Sequence, residues 1–168
     1  MSNHWRISTF NGALLAAYFI PTWTIVALGI MFSPIHSLYE QPNVSVALFM
    51  SDYLQFAGIS LVRIAWLLAI GRLTVVAFLA IFLVLIARSS VRRTGGGDEA
   101  LSLALLIGGI ISFASMVMAS KVGEIASLRL HAAELLMMVG TTIVLAIEGP
   151  ARPKQEPAVA AELSLQKS

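Results

Sequence analysis

Four long apolar runs dominate this sequence, and the charged residues gather almost entirely between them. A helix needs about 20 apolar residues to cross a hydrocarbon core of ~30 Å. Each run reaches that length. In lipid the backbone must satisfy its own hydrogen bonds, so runs of this kind fold as helices. The fold class expected is therefore an all-α integral membrane protein with four transmembrane helices in one bundle. Composition agrees: 58% of the 168 residues are hydrophobic and 12% are charged, against about 25% charged in soluble domains. A disordered chain, a collagen-like chain and an ordinary soluble enzyme are excluded on the same ground.

The spans are expected at about 10–32, 56–87, 100–120 and 128–148, within one domain covering 1–150. The first run is longer than a signal-peptide core of about 7–15 residues, and no small-residue cleavage site follows it, so it reads as a retained helix. Pro21 lies inside it and predicts a kink. Pro34 and Pro42 bracket a loop. Val44 to Met50 is apolar but too short to span, which predicts a short interfacial helix between helices one and two. Apolar character from Leu54 to Ala87 leaves open whether helix two is one rod or is broken near Gly71. The segment 151–168 has two prolines and mixed charge and is expected to be a disordered cytoplasmic tail.

Basic residues set the orientation. With the N-terminus in the cytoplasm, Arg6, Arg88, Arg92, Arg93, Arg152, Lys154 and Lys167 are cytoplasmic, and Arg63, Lys121 and Arg129 are outside. The expected location is a bacterial inner (plasma) membrane, with both termini cytoplasmic. The same scatter of basic residues around apolar runs argues against a nucleic-acid partner.

Arg72 and Glu134 are the two charges that topology does not explain. Arg72 precedes Arg88 by sixteen residues, or roughly 24 Å of helix. Glu134 precedes Glu148 by fourteen, or roughly 21 Å. If Arg88 and Glu148 mark the inner boundary, Arg72, Glu134 and His131 share one layer in the outer half of the membrane. His131, Glu134, Met138, Thr141, Leu145 and Glu148 follow a 3-4-3-4-3 spacing, which places them on one stripe of helix four. Ser115, Ser120, Thr22, Trp23 and Thr24 come to similar depth. The expectation is an Arg72–Glu134 ion pair with His131 as a hydrogen-bonding neighbour. Such a cluster either fixes packing and register or binds a quinone headgroup, an anion or a proton.

Other signals are weaker. The chain has no cysteine, so thiol chemistry and thiolate metal sites are absent. His4 falls on the cytoplasmic side and His36 in a loop, so haem or metal ligation by His131 is not expected, and no cofactor is assigned. The run Gly95 to Gly97 lacks the Gly-Lys-Ser/Thr of a phosphate loop. Asn43-Val44-Ser45 matches a glycosylation sequon. Small residues four apart recur in helices one and three, at Gly12 and Ala16, and at Ala104, Gly108 and Ser112. They allow close helix packing, within the bundle or against a partner chain. Lys121, Glu124 and Arg129 fall at the outer turn, where Glu40 and Asp52 could join them.

No catalytic motif is present. The favoured reading is a small non-catalytic accessory or scaffold subunit of a larger membrane assembly. The alternatives are an oligomeric transporter or channel subunit with a polar path along helix four, or a quinone- or lipid-binding protein using Arg72, Glu134 and His131. Partners expected are the bilayer and either further copies or a larger complex.

Overall fold

The computed structural model describes residues 6–56, 58–88 and 96–149. All regular structure among them is helical. Four helices are long and apolar enough to cross a membrane: α1 (Ile7–Phe32), α4 (Ile59–Ala87), α5 (Asp98–Val122) and α6 (Ile125–Glu148). Between the first two lie α2 (Pro34–Leu38) and α3 (Val44–Leu48), and α3 runs on into one π-helical turn, Phe49–Tyr53. The single short helix expected there is thus a compound segment. The segment 151–168 lies outside the described residues, as do Trp5, His4, Arg92 and Arg93.

Local chemistry sets the helix ends. Pro34 occupies the first turn of α2, where a missing N–H costs nothing. Gly123 takes φ +76 just after α5, a conformation that glycine adopts without a Cβ penalty. The next N–H, of Glu124, then closes back on Ala119 O at 3.0 Å. Asp98 and Glu99 sit in the first turn of α5 and Lys121 in its last, each matching the helix dipole. Pro21 lies within α1 without ending it. Gly71 lies within α4, which is continuous from Ile59 to Ala87.

The long helices form a ring in the order α1, α4, α5, α6. The contact between α1 and α6 is the least extensive of the four. Small residues let these helices close. A Cβ at Gly12 would come within 2.8 Å of Phe82 Cζ and 2.9 Å of Leu101 Cδ2. A Cβ at Gly108 would meet Met138 Cε at 2.8 Å. Ala16, Ala104, Ser112, Ser115 and Ala119 are also buried. The small-residue faces therefore serve packing within this chain.

Two apolar clusters fill the ring. One contains Leu15, Phe19, Leu79, Phe82, Leu101 and Met138. The other contains Ala27, Ile30, Leu38, Val46, Ala65 and Ala69. The compound segment 34–53 covers the bundle beside the second cluster and acts as a cap. Its Leu38, Val46 and Ala47 are buried. Asn43 is buried too, and its amide donates to Ser37 O at 3.0 Å. The sequon at Asn43 is therefore closed to modification in the folded chain.

Candidate functional site

Between the two apolar clusters lies a polar layer. On α1, Trp23 belongs to the first cluster and Ala27, one turn on, to the second. On α4, Ala69 belongs to the second and Val75 to the first. Arg72 sits between them and is 1% exposed. His131 and Glu134 are 1% and 4% exposed. Arg72, His131 and Glu134 are thus all buried in the structure.

Glu134 is held by side chains from three helices. Trp23 Nε1 donates to Oε1 at 3.0 Å. Ser112 Oγ donates to Oε2 at 3.2 Å. His131 Nδ1 lies 2.9 Å from the same oxygen, a reach set by the i, i+3 spacing on α6. The other ring nitrogen, Nε2, faces Pro42 O of the cap at 3.2 Å.

Arg72 does not form the direct ion pair expected from the sequence. The Trp23 indole comes between. The Arg72 Cζ stands 5.6 Å from the ring centroid, a cation–π distance, while the indole N–H points to Glu134. Trp23 is itself braced edge-on by Phe19 at 5.0 Å between centroids. Among the described residues, Arg72 Nε and Nη1 have no hydrogen-bond partner, and both are buried. The carboxylate is engaged instead by an indole N–H, a hydroxyl and an imidazole, and the guanidinium by the indole face.

The rest of the helix-four stripe divides by depth. Met138 and Thr141 are buried. Met138 fills the space that Gly108 leaves. Thr141 Oγ1 donates to Met137 O at 2.9 Å, within its own helix. Glu148 works at the opposite end from the cap. It accepts from Ile7 N at 2.7 Å, from Ser8 N at 3.1 Å and from Ser8 Oγ. Those N–H groups open α1 and have no partner within their helix. Glu148 therefore caps α1 across the bundle. Arg6 adds Asp98 at 2.7 Å and Gly149 O at 2.7 Å.

Three contributors were not assigned their roles by the sequence. Trp23 was placed at this depth, but nothing in the sequence marks which way it faces. Ser112 contributes where Ser115 and Ser120 were expected. Ser115 is buried and Ser120 is exposed. Pro42 contributes a main-chain oxygen, which no side-chain pattern signals. His36 is exposed and pairs with Glu40 at 2.9 Å, far in role from His131. At the cap end Gln41 links Glu124 and Ser127 at 3.3 and 3.1 Å, and Tyr53 OH donates to Lys121 O at 2.9 Å. Among the described residues no group of three acidic or histidine side chains is arranged to hold a metal ion.

No family model, no curated protein and no solved structure matches the chain.

Proposed function

We propose that this chain is a small non-catalytic polytopic membrane protein, acting as an accessory or scaffold subunit of a larger membrane assembly. The observation that carries the non-catalytic part is the enclosure of Glu134. Trp23, Ser112 and His131 already address its two oxygens. A general base or nucleophile needs an oxygen open to substrate. This carboxylate ties α1, α5 and α6 together and, through His131, ties them to the cap. Its chemistry is that of a fastening.

The membrane location rests on the four long apolar helices. Their outward sides carry Leu67, Leu106, Leu136 and Ile147, all exposed, which suits contact with lipid or with other helices. The excess of basic residues at one side favours an inner membrane with both termini cytoplasmic. The polar stripe of α6 is turned inward and engaged by neighbours, so no observation favours a transport path.

Purification of the tagged full-length chain in mild detergent, followed by mass spectrometry, tests this reading. Other membrane chains in fixed ratio are the expected result. A symmetric homo-oligomer that conducts ions in liposomes would overturn it.

A further inference from the structure

The outward sides of two helices carry matching patterns. On α4, Ile70, Thr74, Ala77, Ile81, Val84 and Arg88 follow a 4-3-4-3-4 spacing, which makes them one stripe. All are exposed except the half-buried Thr74, and none belongs to either apolar cluster. Between α5 and α6 a groove runs along the outer surface. Its stretch beside Glu99 encloses about 680 Å³, and the stretch reaching Phe113 about 550 Å³. Both are lined by Ser102, Thr142 and Leu145, so the groove is continuous. On the α5 side it presents Glu99, Ser102, Leu106, Gly109 and Phe113, a 3-4-3-4 spacing. Those fourteen steps span roughly 21 Å of helix. A Cβ at Gly109 would meet nothing within 4 Å, so the groove is open there.

Stripe and groove stand at the same depth. Within one chain a Cβ at Gly108 would stand 3.5 Å from Val75 Cγ1, and one at Gly71 would stand 3.1 Å from Ile111 Cδ1. Helices α4 and α5 run antiparallel, so these contacts put Thr74 level with Gly109, Ala77 with Leu106, Ile81 with Ser102 and Val84 with Glu99. Two copies inserted the same way round share these levels. At each of the three middle levels a larger side chain then faces a smaller one, which lets the helices close. Arg88 lies one turn beyond Val84. Helix side chains tilt towards their own N-terminus, so Arg88 leans back towards the level of Glu99, and Glu99 leans out towards Arg88. Both are exposed, and among the described residues neither forms an ion pair.

We propose that the α5–α6 groove binds α4 of a second copy of this chain, with Arg88 of that copy paired to Glu99. The match of spacing, depth and charge lies within one sequence, which selects a second copy over lipid. The contact is heterologous: stripe and groove are different surfaces, so each copy keeps one of them free for a further neighbour unless a ring closes. Copies meet already folded, so the stability of a single chain in dilute detergent does not depend on this contact. The inference rests on the membrane location and shared orientation proposed above, and adds a second copy to the assembly.

The chain has no cysteine, so introduced cysteines report the contact cleanly. Two differently tagged full-length chains, one with Ala77→Cys and one with Leu106→Cys, are produced together in bacterial cells. Membrane vesicles are then oxidised with copper phenanthroline. A disulfide joining the two tags is expected, since it forms only where Cβ atoms come within about 4.5 Å. Ala77→Cys paired with Leu14→Cys, exposed on α1, should give none. Glu99→Arg in the Leu106→Cys chain should lower the yield roughly fivefold, and Arg88→Glu in the Ala77→Cys chain should restore it. Restoration shows that both variants fold. Absence of the mixed disulfide overturns the proposal. So does a yield from Ala77→Cys alone, or with Leu14→Cys, that equals the mixed one, or a yield that Glu99→Arg leaves unchanged. Chains missing from the membrane fraction overturn the membrane reading as well. Chains that insert and do not cross-link overturn this inference alone.

Discussion

Trp23 donates its indole N–H to Glu134 at 3.0 Å. The same ring carries the Arg72 guanidinium over its face. One aromatic side chain therefore stands between two opposite charges and contacts both, by its edge and by its face. The two uses can be separated. Trp23→Phe keeps an aromatic face and removes the N–H, leaving Glu134 one donor short. It should lower stability by about 1–3 kcal/mol, read as a fall in thermal midpoint in detergent. Trp23→Leu loses the face as well and should fall further. Equal midpoints for the two variants would show that the face contributes nothing.

Replacing Glu134 removes the anchor of the layer. Glu134→Leu leaves the Trp23 N–H, Ser112 hydroxyl and His131 ring without their acceptor, and should destabilise by about 3–5 kcal/mol. Glu134→Gln keeps one acceptor oxygen and should cost less. Thermal unfolding followed by circular dichroism ranks the two. The reverse order would refute the hydrogen-bonding role assigned to the carboxylate.

His131 also governs the cap. Its Nε2 reaches Pro42 O, so His131→Phe removes a bond between α6 and segment 34–53. Hydrogen exchange should quicken in α2 and α3, with little change in the middle of α5. Uniform exchange across both regions would mean that the cap is held by its apolar contacts alone.

Three glycines give a packing test. Gly12→Ala pushes a methyl group towards Phe82 and Leu101 and should cost about 1–3 kcal/mol through overpacking. Gly140→Ala and Gly109→Ala meet nothing within 4 Å. They should be neutral or stabilise by up to about 1 kcal/mol, because alanine is the better helix former. A destabilising Gly109→Ala would mean that its face is covered by a second chain.

At the other end Glu148 caps α1. Glu148→Ala should expose the Ile7 and Ser8 amides to exchange and loosen the first turn of α1. Global stability should fall by no more than about 1 kcal/mol, since the site is partly exposed. Protection of those two amides in the variant would contradict the cap.

The sequence was most legible where simple lengths decide. Each span is bounded by charges or glycine, and the helix rise alone singled out Arg72, His131 and Glu134, which are all buried. Rotation about the helix axis was the harder quantity. Helices α1 and α4 carry apolar residues all round with no single polar face, so periodicity does not show which face of α1 turns Trp23 inward. The expectation of a direct Arg72–Glu134 pair followed from that gap. Helix α6 was easier, because its few polar residues share one stripe and that stripe is buried from His131 to Thr141. Depth alone grouped Glu148 with the others, although its partners are Arg6, Ile7 and Ser8. The role of the cap was least legible, since its link to His131 is a main-chain carbonyl.

The cap belongs to the first half of the chain, yet its side-chain bonds to the spans run to the second half. Gln41, Pro42 and Tyr53 meet Glu124, Ser127, His131 and Lys121. At the far end Arg6, Ile7 and Ser8 meet Asp98, Glu148 and Gly149, and Trp23 meets Glu134 midway. The two helical hairpins of this chain thus recognise each other as two subunits would, at both rims and at the centre. Made as separate polypeptides, 1–88 and 96–168 carry all of these contacts, so the fold is in effect a heterodimer whose two members happen to share one backbone.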